Sequence, residues 1–315
     1  MDSVEALELP ESRWADVDGP IHYREWTGPA EGPTFVCVHG LGGSLLNWAL
    51  VAPGLSKRGR VIALDLAGFG LSPAEGRSAG VGANWRLLGG FLAALDLPPV
   101  VLVGNSMGGM IALIQSAHAP ESLTAMILVD AAFPRTRLGR AQQPPPRVAA
   151  LFALYAAGRV GEKLVSRRAR SLGAEGLVRE TLRVAAANPD SVDPRLVQAM
   201  IEQARTRIDM EGSTPAFLEA ARSIFRAQAM PARYRALVDR SRTPALVIHG
   251  HRDQLVPVAS AVEAARSHDN WTLEILEGLG HIPQMEAPNR WLSAVEAWLD
   301  RTPLDAGKHA AERPA

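Results

Sequence analysis

Hydrophobic residues in this chain concentrate in short continuous runs, and most of these runs are separated by stretches with helical periodicity. The run at 125–129 is apolar at every position, which fits a strand of a parallel sheet buried on both faces. Alternation of such runs with helices predicts an α/β fold with a doubly wound, mostly parallel sheet. The predicted strands cover residues 13–17, 21–26, 34–38, 60–66, 100–104, 123–130, 244–250 and 271–277.

The strand pattern is absent between residues 133 and 242, where only helix-like stretches with breaks occur. We interpret this region as a helical cap inserted after the strand that ends at Asp130. Its helices are predicted near 147–158, 160–171, 174–187, 194–209 and 214–226. The predicted division is a first core segment at 12–133, the cap or lid at 134–241, a second core segment at 242–301 and a disordered polar tail at 302–315.

A G-x-S-x-G turn at 104–108 connects the strand at 100–104 to a predicted helix. A serine on such a tight turn is lifted out of the backbone, and the two glycines let strand and helix approach closely. The amide groups at the start of the helix favour developing negative charge. The pattern predicts that Ser106 is a nucleophile.

A serine hydroxyl needs a base, and the base needs an orienting acid. His281 follows the strand at 271–277 and is therefore placed at the same sheet edge as Ser106, where ligand sites of parallel sheets lie. Asp253 and Asp130 both follow strands at that edge and compete for the role of the acid. We favour Asp253, because one helix and one strand separate it from His281, and Asp130 stays open as the alternative.

A glycine-rich loop at 39–43 follows the strand at 34–38 and allows a close backbone approach to a ligand. Negative charge that builds on a substrate carbonyl oxygen needs two N–H donors, and we expect these from Leu41 and Met107. His39 is interpreted as a structural histidine and Asp65 as a residue that organises its turn.

Apolar residues near the predicted site are candidates for the substrate pocket, although each of them also fits an ordinary core position. No histidine or cysteine spacing suits a metal, and no dinucleotide fingerprint follows the first strand of the predicted core, so we predict neither a metal nor a cofactor. The candidate substrate-binding residues are Trp48, Phe133, Val256 and Ile282.

Lys plus Arg and Asp plus Glu both number 33, which gives a formal net charge of zero and nothing that suggests nucleic-acid binding. Residues 134–240 carry 19 basic and 10 acidic residues. This excess is interpreted as a solvated helical surface, with weak attraction to anionic lipid as the alternative. The single Cys37, the missing signal sequence and the absence of long apolar stretches predict a cytoplasmic protein without stable membrane insertion. A monomer and a homodimer are both open.

Five motifs occur in an order that resembles the α/β-hydrolase-fold serine hydrolases, in the lid-bearing group of esterases, lipases and C–C bond hydrolases. The resemblance covers about residues 20–132 and 242–300, and it implies Ser106 as nucleophile, Asp253 as acid and His281 as base. Ala67 stands where many relatives have proline, in a loop that is structural. The motifs are His39-Gly40, Asp65-x-x-Gly68-x-Gly70-x-Ser72, Gly104-Asn105-Ser106-Met107-Gly108-Gly109, His249-Gly250-x-x-Asp253-x-x-Val256-Pro257 and Gly280-His281.

Three functions remain open. The favoured one is a carboxylesterase or lipase-like enzyme that forms an acyl-enzyme with small to medium apolar acyl groups from a small-molecule ester. The second is hydrolysis of a carbon–carbon bond in meta-cleavage products of aromatic rings, which needs an arginine that faces the substrate carboxylate. The third is a ligand-sensing receptor on the same fold.

Overall fold

The structure is a computed structural model, and it describes residues 6–136, 145–208, 210–302 and 304. The predicted tail at 302–315 therefore lies almost entirely outside the described residues. Among the described residues, no helix is both long enough and apolar enough to cross a bilayer.

Eight strands form one sheet in the order β1-β2-β4-β3-β5-β6-β7-β8. The pairs β1–β2 and β2–β4 are antiparallel, and all the other pairs are parallel. This arrangement confirms the predicted α/β fold with a mostly parallel sheet. The strands are β1 (Arg13–Asp16), β2 (Pro20–Trp26), β3 (Phe35–Val38), β4 (Val61–Leu64), β5 (Val100–Asn105), β6 (Leu123–Val129), β7 (Ala245–Gly250) and β8 (Trp271–Leu276).

The central strands are buried along their whole length, since every residue of β5 and of β6 is buried. The chain runs from β3 to β4 on one side and then returns to β5 on the other side of β3. Ligand sites of open α/β sheets lie outside the carboxyl ends of the strands near such a reversal. The topology therefore places the functional edge beyond the ends of β3 and β5.

Eleven α-helices accompany the sheet in the part of the chain that is described. Short 3₁₀ turns lie at Leu45–Trp48, Pro120–Ser122 and Pro189–Ser191. The helices are α1 (Ala52–Leu55), α2 (Val81–Ala94), α3 (Met107–His118), α4 (Pro146–Ala156), α5 (Gly158–Ala185), α6 (Pro194–Ile208), α7 (Ser213–Ala229), α8 (Pro231–Val238), α9 (Val258–Arg266), α10 (Pro283–Glu286) and α11 (Pro288–Leu299).

The helices between β6 and β7 differ from the sequence expectation in one place. The stretches predicted near 160–171 and 174–187 lie on the two sides of a kink at Gly173, where φ is 63°, and the whole span is labelled α5 here. Helix α8 was not predicted, because its eight residues are too few to show a clear helical period. The predicted division of the chain into two core segments with a cap at 134–241 stays a prediction.

Side chains from the two faces of the sheet form two separate apolar clusters. One face packs Ile62, Leu64 and Leu102 against α2 and α3. The opposite face packs Phe35 and Cys37 against the tryptophans of the turn at 45–48 and of α11. Burial raises the pKa of the Cys37 thiol, so this residue is an inert part of the core.

Polar contacts join the helices that follow β6 to the core. Glu219 of α7 accepts hydrogen bonds from the hydroxyl of Ser78 (2.5 Å) and from the amide of Ala79 (3.1 Å). The hydroxyl of Tyr234 in α8 donates to the carbonyl of Ala132 at 2.9 Å. These bonds place α7 and α8 beside the carboxyl edge of the sheet.

Candidate active site

Ser106 occupies the sharp turn between β5 and α3, with φ at 54° and ψ at −110°. Positive φ is uncommon for a residue with a Cβ and marks backbone strain at this point. Both flanking glycines are needed, because a Cβ on Gly104 would lie 2.5 Å from the Gly108 backbone and a Cβ on Gly108 would overlap the Val38 carbonyl. The strand and the helix therefore meet at van der Waals contact, with Ser106 at the turn.

The glycine loop at 39–43 runs beside this turn. A Cβ on Gly40 would lie 3.1 Å from the Cβ of Ser106, so only glycine permits the observed approach without displacement of its neighbours. Among the described residues, the amides of Leu41 and Met107 have no hydrogen-bond partner. Two unpaired donors beside a strained serine can receive a developing oxyanion. Their role stays a prediction.

His281 and Asp253 form a buried hydrogen-bonded pair. Nδ1 of His281 and Oδ2 of Asp253 are 2.7 Å apart, with side-chain exposures of 6% and 0%. Because the carboxylate of Asp253 can only accept a hydrogen bond, Nδ1 of His281 carries the ring proton and Nε2 is the basic atom. The arrangement gives a histidine the orientation and tautomer that a general base requires.

The carboxylate of Asp253 is held by the chain that follows it. Its Oδ1 accepts from the amides of Leu255 (2.7 Å) and Val256 (3.1 Å). Burial raises the pKa of Asp253, but attraction to His281 and the hydrogen bonds from His281 and Leu255 outweigh it, so the net pKa is lowered. Asp253 is therefore ionised at neutral pH.

The loop that carries His281 is attached to the serine turn and to α5. The side-chain amide of Asn105, next to Ser106, donates to the His281 carbonyl at 3.0 Å. The His281 amide donates to the carbonyl of Ala185 at 2.7 Å. The turn at Ser106 and the loop of His281 are thus hydrogen-bonded neighbours. Sequence reasoning missed the role of Asn105, although it lies within the G-x-S-x-G motif.

Glu286 connects the same loop to the end of α5, and sequence reasoning missed it entirely. One carboxylate oxygen accepts from the Gly280 amide (2.8 Å) and the other accepts from the amides of Ala187 (2.8 Å) and Asn188 (3.1 Å). Burial raises the pKa of Glu286, and the three amide bonds oppose that rise. No sequence motif indicates a clamp between segments about a hundred residues apart.

Asp130, the alternative acid, lies directly behind the predicted pair. Carboxyl oxygens of Asp130 and Asp253 and a ring nitrogen of His281 all lie within 4.8 Å of one another. Such a cluster also has the chemistry of metal ligands, but Nδ1 of His281 already donates its proton to Asp253. The structure thus brings both candidate acids together and pairs the histidine with Asp253.

The two polar residues interpreted as structural make bonds of that kind. His39 is fully buried, its Nδ1 donates to the Gly40 carbonyl at 2.7 Å and its Nε2 accepts from the Leu66 amide at 3.1 Å. Burial lowers the pKa of His39, so the ring is neutral. Asp65 accepts from the amides of Leu45 and Leu71, as expected for a residue that organises its turn.

The four candidate substrate-binding residues lie in different environments. Trp48 is fully buried and packs against Trp291 with ring centres 6.2 Å apart, which places it in the core. Phe133 is 1% exposed and packs near Trp271. Ile282 is buried next to His281, and Val256 is half-buried and donates its amide to Asp253.

Helix α7 supplies an aromatic side chain over the glycine loop that sequence reasoning did not identify. A Cβ on Gly42 would lie 3.0 Å from the ring of Phe217. Tyr155 of α4 packs edge-to-face on Phe217, with centroids 4.9 Å apart. Phe217 therefore lies against the loop that contains Leu41, whereas the Trp48 ring packs against Trp291 in the core.

Comparison with known proteins shows which family this chain matches. A family model described as the alpha/beta hydrolase fold matches residues 33–288. An uncharacterized protein of Mycobacterium tuberculosis is 27% identical over 285 residues, which are 86% of this chain and 76% of that protein. The 2-hydroxymuconate semialdehyde hydrolase of Pseudomonas sp. (strain CF600) is 29% identical over 270 residues, which are 83% of this chain and 85% of that enzyme.

A solved structure gives the same result for the fold. A thermophilic esterase from Thermogutta terrifontis superimposes with a TM-score of 0.66 at 23% identity. The match covers 92% of this chain and 98% of that one. At this identity the likeness concerns the fold alone.

Proposed function

The chain belongs to the α/β-hydrolase fold family, and we propose that it is a serine hydrolase that cleaves carboxylic esters with small to medium apolar acyl groups. In this proposal the Ser106 hydroxyl attacks the ester carbonyl while Nε2 of His281 accepts its proton. The Leu41 and Met107 amides stabilise the oxyanion. The protonated His281 then donates to the leaving alcohol, and water activated by His281 releases the acid from the acyl-enzyme.

The observation that carries the proposal is the position of the Asp253–His281 pair relative to Ser106. The pair is buried, its hydrogen bond is 2.7 Å long, and the backbone of His281 is bonded to the side chain of Asn105, the residue before the serine. A base with a fixed tautomer next to a strained serine supports nucleophilic catalysis.

Apolar acyl groups are favoured by the side chains around the glycine loop. Leu41 is partly buried against the apolar cluster, Met107 is fully buried, and the Phe217 ring covers Gly42. Burial of an aliphatic chain among such side chains contributes about 0.8 kcal/mol per methylene. We therefore expect kcat/KM to rise with acyl length until the space is filled.

A panel of p-nitrophenyl esters with acyl chains of graded length tests this proposal. We expect steady-state turnover with an optimum at a short or medium chain, and loss of that turnover in Ser106→Ala. Ser171→Ala is the matched control, because Ser171 is exposed on α5 and should leave turnover unchanged. Absence of turnover for every ester, or a burst of one product per chain without a steady state, would contradict an esterase. The burst alone would favour the ligand-sensing alternative.

Hydrolysis of a carbon–carbon bond is the second candidate, and Arg207 is the observation that favours it. Its guanidinium donates to the Gly68 carbonyl at 2.7 Å and lies 5.5 Å from the centre of the Phe69 ring. Burial lowers the pKa of Arg207 to about 10 and attraction to Asp65 opposes that fall, so Arg207 remains cationic, and no carboxylate among the described residues forms a salt bridge with it. A substrate carboxylate would supply that partner.

Arg207→Gln separates the two candidates. If the substrate carries a carboxylate, the variant should raise KM for a dienoate ring-cleavage product about tenfold or more, with little change for a neutral ester. Arg205→Gln, on the exposed side of the same helix, is the control. Equal effects on both substrates would remove the support for this candidate.

A further inference from the structure

Two acidic side chains from neighbouring strand ends meet inside the protein. Asp130 follows β6 directly, and Asp253 lies three residues after β7. Both carboxyl groups are fully buried, and oxygens of both lie within 4.8 Å of each other and of a His281 ring nitrogen. Two carboxylates at this separation without solvent repel each other strongly, so they do not both stay ionised.

The hydrogen bonds of the two carboxyl groups are unequal. Asp253 receives bonds on both oxygens, from Leu255 and Val256 on Oδ1 and from His281 on Oδ2. Asp130 receives one bond, from the Gly250 amide to Oδ1 at 2.9 Å. Its Oδ2 is buried and accepts no hydrogen bond from any N–H group in the described chain. The unpaired oxygen of Asp130 is therefore the natural place for a proton.

No other group near the pair, among the described residues, neutralises the second charge. The Nε2 of His249 lies 3.7 Å from Asp130, 3.5 Å from Asp253 and 3.1 Å from the Val256 carbonyl, so Nε2 carries the ring proton. Burial lowers the pKa of His249, which keeps this ring neutral. Glu286 adds a further negative charge, and the proton of His281 is already bound to Asp253.

The backbone fixes the carboxyl group of Asp130 in this place. Its φ is 44°, in the left-handed region, and its amide donates to the Ile248 carbonyl at 2.9 Å. Asp130 is a buried acid with strained backbone, and the proposed reaction does not use it. Strain of this kind is typical of residues with a functional role.

We propose that Asp130 keeps a proton on Oδ2 and donates it to Asp253, so that the acid behind His281 is a carboxylic acid–carboxylate pair. This inference rests on the proposed roles of Asp253 and His281. Asp130 is then a positioning residue, because it acts on the histidine through Asp253. Burial and the Asp253 charge together raise the pKa of Asp130 well above its usual value, in agreement with the geometry.

The shared proton has a chemical consequence for the base. A carboxylate that accepts a strong hydrogen bond spreads its negative charge over two groups and attracts the imidazolium less. The pair therefore presents less negative charge to His281 than a lone carboxylate would, and the acid limb of the kcat/KM profile reports that charge. The same bond limits rotation of the Asp253 side chain.

Two substitutions at Asp130 test whether it donates a proton to Asp253, and the acid limb of the kcat/KM pH profile is the measurement. Asp130→Leu removes the donor, so we expect the acid limb to move up by about half a pH unit or more and kcat/KM to fall about tenfold. Asp130→Asn supplies an N–H donor in place of the O–H, so its acid limb and its kcat/KM should both stay close to the wild-type values. If Asp130 were ionised, each variant would remove a negative charge and move the acid limb down, which would overturn the proposal.

A spectroscopic measurement tests whether Asp130 is protonated, and it does not require catalytic turnover. Infrared difference spectra of the full chain at neutral pH should show a protonated carboxylic acid carbonyl in the Ser106→Ala protein that is missing from its Asp130→Asn derivative. Absence of this band in the parent protein overturns the proposal even if ester turnover is normal. Its presence supports the proposal even if no ester is hydrolysed, so failure of the proposed function is distinguishable. If Asp130→Asn does not fold, Asp253→Asn gives a second test. It removes the negative charge beside Asp130, so the carboxylic acid band should disappear at lower pH than in the parent protein. An unchanged titration of the band would contradict a proton shared by the two residues.

Discussion

The carboxyl edge of the sheet and the helices between β6 and β7 are built in different ways. Every residue of β5 and β6 is buried, and the turn at Ser106 has no space for a Cβ at either flanking glycine. By contrast, α5 has 28 residues and buries only Gly161, Ala174, Val178 and Leu182. At the kink of this helix, a Cβ on Gly173 would meet no other described atom within 4 Å.

This difference separates two kinds of requirement. Chemistry at the sheet edge depends on positions fixed to a few tenths of an ångström, because orientation of the base and of the oxyanion donors decides the rate. In the proposed function, the helices contribute side chains such as Phe217 and Arg207 that would bear on substrate choice. Changes at the edge should therefore be severe, and changes in the helices should be mild or specific to one substrate.

The largest effect is expected at the edge from Asp253→Asn. The amide side chain would leave His281 with the wrong tautomer, and kcat should fall by about 10⁴. The melting temperature should change little, because the amide retains most of the shape and an acceptor for Leu255. Ester kinetics and thermal unfolding measure the two quantities, and near wild-type kcat would assign the acid to Asp130 instead.

Gly108→Ala should give the next largest effect. The added Cβ would overlap the Val38 carbonyl, and the variant should lose about 3 kcal/mol of unfolding free energy together with its esterase activity. Gly82→Ala is the control in α2, where a Cβ meets nothing within 4 Å, and it should be neutral or slightly stabilising. Equal effects in the two variants, measured by urea unfolding, would show that the edge is not specially constrained.

A pH-dependent effect is expected from Asp130→Asn. The pKa of Asp130 is raised in the folded chain, so its stabilising contribution is complete below the usual carboxyl pKa of 3.8 and is lost as pH rises toward the folded value. The unfolding free energy of Asp130→Asn minus that of the wild type should therefore increase with pH above about 4, by at most about 1.4 kcal/mol per pH unit. Parallel stability curves from pH 4 to 8 would contradict a proton held by Asp130.

The smallest effect on turnover is expected in the helices, from Gly173→Ala. An added Cβ meets nothing within 4 Å, but φ of 63° with ψ of −178° is a region that essentially only glycine adopts, so the backbone strain should cost about 1–3 kcal/mol of unfolding free energy. Ester kcat should be unchanged. A large loss of turnover would show that the kink in α5 matters for chemistry and would remove the contrast between the two regions.

Much of the sheet edge was predictable because its signals are local. The two glycines beside Ser106 predict the close approach of strand and helix that the structure shows. Ligand sites of parallel sheets lie at the carboxyl ends of the strands, so His281 and Asp253 were expected at one place, and they are hydrogen-bonded there. Neither inference requires knowledge of long-range packing. Parallel strands with continuous apolar runs likewise indicated the fold.

The remaining features depend on contacts between distant segments, which no local pattern encodes. Glu286 holds the end of α5 to the loop of His281, and its sequence context shows only an acidic residue near a proline. Trp48 was expected near substrate, but the sequence gives no sign that Trp291 lies opposite it in the core.

Covalent labelling with a fluorophosphonate probe, followed by mass mapping of the modified peptide, examines the proposed nucleophile itself. The label should appear on Ser106 in the wild type and in Ser171→Ala, and it should be lost in Ser106→Ala. Asp253→Asn should react much more slowly at the same residue. Modification of any other residue, or labelling that persists in Ser106→Ala, would contradict a nucleophilic serine activated by His281 and Asp253.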